Sequence, residues 1–407
     1  LSAFHLAFNL EDSMLPEYYE FTFPVKMISG HTALNSLPAE LIQSNARRPM
    51  IVADPGVAKA GLIDTVLGAF TESGVTIGAL YDQTPPESST LVVNQLARTY
   101  REKECDSLVA IGGGSVIDTA KGTNILVSLG GDDVRDYRGA ETLPGPLRPF
   151  FVVPTTAGTG SEATNSAVIA DPEKGVKMLF VSEFLMPRAA FLDTRMTLTL
   201  PPKLTAATGM DALTHAMEAY ISIQKNPMSD AYAWQAIQLI GSYLRDTARK
   251  PDYKDGRLAL ANASTMAGTS FSNSMVGCVH SMGHATGAVT HIPHGVAMTI
   301  FLPYGLEFNL EKRAAMIGEM LMPLAGPEIY AATPAAERPA KTIAEVRRLK
   351  DDLFQICGLP RTLKEAGVSK DAFEKIAPLA INDGSALMNP VELRLEDAFR
   401  LLERAYE

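Results

Sequence analysis

Four of the seven histidines in this 407-residue chain fall between His280 and His294, in HSMGHATGAVTHIPH. His280 and His284 are four apart, so a helix would put both on one face. His294 follows Pro293, and a fifth histidine, His215, stands four residues after Asp211 in DALTHAMEAY. One such pair is ordinary polar patterning. Two pairs at helical spacing, with His294 added, point to a metal. Three imidazoles with one carboxylate would leave a single negative charge on the protein side. That suits Fe2+ or Zn2+ with a coordination position open to water or substrate. The set is too rich in nitrogen for Ca2+ or Mg2+. Cys278 could add a thiolate, but the His/Asp set suffices without it, and a buried small hydrophobe is the simpler reading.

A second group of residues suits phosphate and ribose. Gly112-Gly113-Gly114-Ser115 closes the apolar run SLVAIG and opens a helical segment. Glycines there let phosphate oxygens reach backbone N–H groups at a helix N-terminus. Many strand–helix turns hold glycine for steric reasons alone. Thr155, Thr156, Thr159 and Ser161 add hydroxyl donors in a similar loop, and turn or cap chemistry accounts for them equally well. Asp54 ends an earlier apolar run, where a carboxylate could accept both ribose hydroxyls and repel a 2′-phosphate, favouring NAD over NADP. The bland alternative is an Asp-Pro turn. The acid follows the first strand and the glycines the third, the reverse of the usual Rossmann order.

These residues need elements to position them. From Pro49 on, the sequence alternates. PMIV, VTIGALYDQ, DSLVAIG and PFFVVP read as strands, and 57–70, the stretch through Leu96 and Tyr100, and 116–130 read as helices. Strands alternating with helices imply a parallel, Rossmann-like α/β sheet, with ligands bound beyond the strands' carboxyl ends. After Pro201-Pro202 strand signals largely stop. The expected organisation is an α/β dinucleotide-binding domain over 1–196 and an all-helical metal-binding domain over 197–407, with a hinge near 193–202. Pro327 to Ala340 reads as a surface excursion.

Composition narrows the function. A net charge of −10 and a pI near 5.3 argue against a nucleic-acid or anionic-membrane surface. No stretch of about 18 apolar residues offers a membrane span. Cys105, Cys278 and Cys357 suggest neither a disulfide framework nor a CxxC site, so a reducing cytoplasm is expected. The opening LSAFHLAFNLEDSML has no basic region and soon reaches Glu11 and Asp12, unlike a signal peptide.

A nicotinamide at the sheet edge facing an open divalent metal is apparatus for oxidising an alcohol or reducing a carbonyl. Two other readings stand beside it: a metal-dependent hydrolase with phosphate-binding glycine loops, and a non-catalytic protein with a closed structural zinc site. Met275, Phe271 and Val279 hint at an apolar substrate pocket, though core packing explains them as well.

From about Phe21 the chain resembles the iron-containing (group III) alcohol dehydrogenases. GGGSVIDTAK (112–121), PTTAGTGSEAT (154–164), KLTAATGMDALTHAMEAY (203–220) and the block from His280 to Gly295 match that family's motifs in order. The resemblance implies the dehydroquinate synthase-like fold, and a metal, Fe2+ or a substituting Zn2+, held by Asp211, His215, His280 and His294. His284 is then the catalytic neighbour of nicotinamide and substrate. It implies that Asp54, Gly113, Gly114, Ser115, Thr155, Thr156 and Thr159 contact NAD, with Gly112 and Asp118 in the same cofactor set and Lys177 reaching the ribose. It also implies a small alcohol or aldehyde substrate and a homodimer or larger homo-oligomer. Within the fold, the runner-up is a glycerol-dehydrogenase-like zinc polyol oxidoreductase. Relatives often carry Asn-Pro near the adenine, where this chain has Pro85-Pro86. A backbone contact would survive that change. His291 stands outside the ligand set.

Overall fold

The computed structural model describes residues 16–407. The expectation about the opening residues, and His5, fall outside the described residues. The strands in chain order are β1 (Lys26–Gly30), β2 (Pro49–Val52), β3 (Ala79–Tyr81), β4 (Ser107–Gly112), β5 (Gly139–Ala140), β6 (Phe150–Pro154), β7 (Ser166–Asp171), β8 (Val176–Val181) and β9 (Ala189–Asp193). Six of them form a parallel sheet in the order β1-β9-β6-β4-β2-β3. The central strands are apolar on both faces, as a sheet covered on both sides requires. Met50, Val52, Leu108, Ala110, Phe150 and Val152 enter one core, and Ile51, Val109, Ile111, Phe151 and Val153 the other. Helices α1 (Leu37–Gln43), α2 (Pro55–Lys59) and α3 (Leu62–Gly68) supply the second core. Helices α4 (Thr90–Glu102) and α5 (Gly114–Leu129) supply the first.

Past Asp193 the described residues contain helices and no strand. They are α6 (Pro202–Ile221), α7 (Pro227–Arg249), α8 (Lys254–Ser272), α9 (Cys278–Thr290), α10 (His294–Phe308), α11 (Leu310–Glu319), α12 (Leu321–Ala325), α13 (Pro327–Ala332), α14 (Arg338–Cys357), α15 (Phe373–Ile381) and α16 (Leu395–Tyr406). Their core runs from Ala206 to Ala405, and Ala157 joins it from the α/β half. The architecture is thus the expected parallel α/β sheet followed by an α-helical assembly.

Helix α8 carries the contact between the halves. Glu162 accepts from Thr265 Oγ1 at 2.7 Å, and Asn165 exchanges hydrogen bonds with Ser272. Between these contacts, Gly160 and Gly268 meet backbone to backbone: a Cβ on Gly160, which has a φ of +62°, would lie 2.6 Å from Gly268 Cα. The connection into α6 is held by buried Arg257, whose guanidinium donates to Pro251 O, Thr205 Oγ1 and Leu200 O.

Three local expectations are revised. The single helix over 57–70 is two, because Gly61 takes a φ of 71° and breaks it between α2 and α3. The strand in VTIGALYDQ contracts to Ala79–Tyr81 at the sheet edge. Pro327–Ala340 is exposed over α13, which buries none of its residues, but it is helical and runs into α14 at Arg338. The small sheet β5-β8-β7, with an antiparallel β7–β8 hairpin turned at Gly175, went unforeseen, as did β1 and β9.

Candidate metal centre

Asp211 and His215 project from the buried middle of α6, one turn apart. His280 lies in the first turn of α9, and His294 opens α10 after Pro293. The structure brings one donor atom from each within 4.8 Å of the others. His294 Nε2 lies 3.2 Å from Asp211 Oδ1, and His215 Nδ1 lies 3.9 Å from the same oxygen. Asp211 Oδ1, His215 Nδ1 and His280 Nε2 are all buried with no hydrogen-bond partner. Buried polar atoms are nearly always paired, so three converging orphans fit a cation bound among them.

The electrostatics of the two fully buried rings agree. Burial pushes His215 down to about 3 despite Asp211 beside it, with His280 and His294 adding to the depression. Burial, then the charges of His294 and His284, carry His280 well below the ordinary imidazole range. Both rings therefore stay neutral at physiological pH and keep a lone pair for a metal. Burial opposes ionisation of Asp211, but His215 and His294 hold its carboxyl well below the usual range. His294 is raised: burial lowers it, and the Asp211 carboxylate more than reverses this.

His284 sits one turn beyond His280, and its side chain is 43% exposed, so it can meet a ligand from solvent. Its Nδ1 is 3.0 Å from Asp383 Oδ2, a carboxylate just past α15. Burial raises Asp383, but the bond to His284 brings it down to about 2. The Phe271 ring stacks on His215 at 4.3 Å. His291 caps the C-terminus of α9 with a φ of 60° and is not one of the four clustered residues. Cys278 is buried beside Gly305 and Asn309, and burial raises its thiol, which fits a core residue.

Two carboxylates escaped the sequence reading. Asp383 depends on where α15 docks, which no local pattern reveals. Glu218 left a faint signal, being seven residues after Asp211 and three after His215 on one helix face. It is fully buried, accepts from Val279 N at 2.6 Å, and lies 2.5 Å from His280 Nδ1. Burial pushes Glu218 up to about 7 against the backbone N–H groups that favour its charge.

The loops expected to hold a dinucleotide follow β2, β4 and β6, three neighbours in the sheet, and so lie side by side at its carboxyl edge. Gly113 and Gly114 face the other loop closely: a Cβ on either would sit 3.1 Å from Thr156 Oγ1 or Thr159 Cγ2. Helix α5 starts there with no side-chain cap and no acid in its first turn, leaving its N–H groups available. Gly112 is needed for a local reason, since a Cβ would strike Val116 at 2.5 Å. Asp54 caps α2, with Oδ1 accepting from Gly56 N and Val57 N. The turn reading of Asp54 therefore holds, and Oδ2 makes neither cap bond. Ser115 Oγ donates to Pro86 O, so the Pro85-Pro86 loop reaches the glycine turn through its backbone.

Thr155 N is bonded to Gly112 O, which ties the two loops at their roots. Asp118 accepts from Val168 N through Oδ2, and its buried Oδ1 has no partner. Burial pushes this carboxyl up to about 6. Lys177 on β8 pairs with Glu87 at 3.0 Å, beside the Pro85-Pro86 loop.

Comparison with known proteins follows the same two halves. Residues 24–194 match the family described as iron-containing alcohol dehydrogenase, and 205–406 match the Fe-containing alcohol dehydrogenase family, C-terminal. Alcohol dehydrogenase 4 of Saccharomyces cerevisiae (strain YJM789) is 34% identical over 389 residues, covering 95% of this chain and 98% of that one. The NAD-dependent methanol dehydrogenase of Bacillus methanolicus is 33% identical over 388 residues, covering 95% and 99%. A crystal structure of 1,3-propanediol oxidoreductase superposes with a TM-score of 0.91 at 33% identity, over 96% of this chain and all of that one.

Proposed function

Because the chain belongs to the iron-containing alcohol dehydrogenase family, we propose that it interconverts a primary alcohol or diol with its aldehyde, with NAD as hydride partner and Fe2+ as metal. The observation that carries this reading is the convergence of three buried, unpartnered donor atoms with His294. In this reading Asp211, His215, His280 and His294 hold the ion, which supplies Lewis acidity toward an alcohol or carbonyl oxygen, with Zn2+ as a substitute. The boundary between the two domains is placed at 196/197, in the connection between β9 and α6.

The chain's own residues then divide the work. Gly113, Gly114 and the free N–H groups of α5 receive the pyrophosphate, and Thr155, Thr156 and Thr159 add hydroxyls from the facing loop. Asp54 Oδ2 takes the ribose hydroxyls, Lys177 approaches the ribose from the hairpin, and Asp118 holds the hairpin's Val168 in place. Asp383 engages Nδ1 of His284, so Nε2 is the nitrogen left to accept the hydroxyl proton. His284 takes that proton from the alcohol, and a nicotinamide held by these loops would supply the hydride acceptor, the alcohol leaving as its aldehyde. The chain acts on small molecules, as a homodimer or larger homo-oligomer of the cytoplasm. Among the described residues no helix is long and apolar enough to cross a membrane.

The test is a screen of primary alcohols and diols with NAD, read as the absorbance of reduced nicotinamide. Turnover with at least one alcohol is expected. Metal-dependent ester or phosphate hydrolysis with no nicotinamide reduction would replace this reading by the hydrolase.

Cofactor choice has its own test. Glycine in place of Asp54 removes the charge that would repel a 2′-phosphate, and as an N-cap it costs only a few tenths of a kcal/mol. Asp54→Gly is expected to raise the NADP/NAD ratio of kcat/KM about tenfold, equivalent to about 1.4 kcal/mol. An unchanged ratio would count against Asp54 as the selector.

A further inference from the structure

We infer that Glu218 is the positioning residue of the metal centre: one carboxylate on α6 both fixes the ring of His280 and anchors the helix that carries it. The inference rests on the ligand reading above. Glu218 is 2% exposed and shares the inward face of α6 with Asp211 and His215. Its Oε1 accepts from Val279 N at 2.6 Å. Its Oε2 accepts from His280 N at 3.3 Å and lies 2.5 Å from His280 Nδ1.

Each contact has a consequence for the centre. A carboxylate facing Nδ1 puts the imidazole proton on that nitrogen and leaves the lone pair on Nε2, the atom without a partner. The tautomer needed for coordination is therefore set before any ion arrives. A buried carboxylate behind the ring also makes Nε2 a stronger donor, as outer-shell partners of metal-bound histidines generally do. The backbone bonds matter as much. Helix α9 has Gly277 at its N-cap, which offers no side chain, so its first N–H groups find acceptors elsewhere. Glu218 takes two of them, and Asn389 Oδ1 takes Cys278 N at 3.0 Å.

Two ligand-bearing helices are thus joined through one side chain, and His280 cannot shift relative to Asp211 and His215 without breaking those bonds. Glutamine cannot replace it. Its amide would turn an NH2 toward an N–H that needs an acceptor.

The two roles separate experimentally, because Asn389 also caps α9 but its side chain bonds Cys278 N, Asn309 and Val391 O rather than His280. Metal-stripped wild type, Glu218→Gln and Asn389→Ala are titrated with Co2+ against a competing chelator, following the visible absorption band, and their melting temperatures are measured. Glu218→Gln is expected to raise the Co2+ Kd about 10- to 100-fold and to shift the band, with NAD binding retained. Asn389→Ala is expected to lower the melting temperature but keep wild-type Co2+ affinity and spectrum. Wild-type affinity in Glu218→Gln overturns the inference. Equal weakening in both variants also overturns it, since helix capping alone would then suffice. Should Glu218→Gln fail to fold, Glu218→Asp keeps the charge but withdraws it by one methylene. A raised Kd is expected there too, and wild-type affinity is again contradictory. Full metal retention by His280→Ala would instead remove the ligand reading itself, so the two failures can be told apart.

Discussion

Replacing His280 with alanine is expected to empty the metal centre and stop turnover while leaving the dinucleotide cleft intact. The substitution deletes one of three imidazoles, from a ring that burial keeps neutral and that Glu218 orients. The remaining donors come from α6 and from the start of α10, and nothing else on α9 replaces the lost nitrogen among the four clustered residues. Metal content measured by elemental analysis should fall below about one-tenth of wild type, and kcat by about a thousandfold or more, which corresponds to roughly 4 kcal/mol of barrier. NAD affinity, measured by calorimetry, should change little. The loops proposed to bind it follow β2, β4 and β6, strands of the α/β sheet rather than helix α9. Full occupancy in the variant would remove His280 from the ligand set.

The second large effect lies at the junction of the halves. Gly160→Ala is expected to destabilise the protein by about 2–4 kcal/mol in denaturant unfolding, combining backbone strain at positive φ with overpacking. The added methyl would lie 2.6 Å from Gly268 Cα and 2.7 Å from Ser264 O, and backbone cannot step aside as a flexible side chain can. Gly175 supplies the control. Its φ of +64° is nearly the same, but a Cβ there meets nothing within 4 Å. Gly175→Ala should therefore cost only about 1–2 kcal/mol, the conformational part alone. The excess in Gly160→Ala measures the packing of α8 on the loop after β6. Equal losses in the two variants would mean that the junction yields easily.

Why some of this was readable in the sequence and some was not follows from the range of each interaction. The pairs Asp211/His215 and His280/His284 are local, so helical spacing alone brings each pair together. The glycine turn at 112–115 is equally local. What spacing could not do was separate the two histidines of α9. His280 turns inward because Glu218 holds it, whereas His284 turns toward Asp383, about a hundred residues away in sequence. Glu218 shares the face of its two neighbours, but a glutamate in a helix is ordinary until the helix is known to be buried all round. The small sheet was missed because its strands mix buried and exposed residues in a short hairpin, a weak pattern beside the uniformly buried β4 and β6. The break at Gly61 was hidden because apolar spacing continues across it. Asp54 is the case where the bland and the functional readings are both compatible with the structure: one oxygen caps α2, and the other makes neither cap bond.

The most direct test is activity as a function of the metal. The protein is stripped of metal, held anaerobically, and reconstituted with Fe2+ or Zn2+, and NADH formation from a primary alcohol or diol is followed before and after each addition. Negligible NADH formation by the stripped protein and recovery of turnover at about one equivalent of metal are expected, with His280→Ala failing to recover. Undiminished NADH formation by fully stripped protein would contradict that expectation.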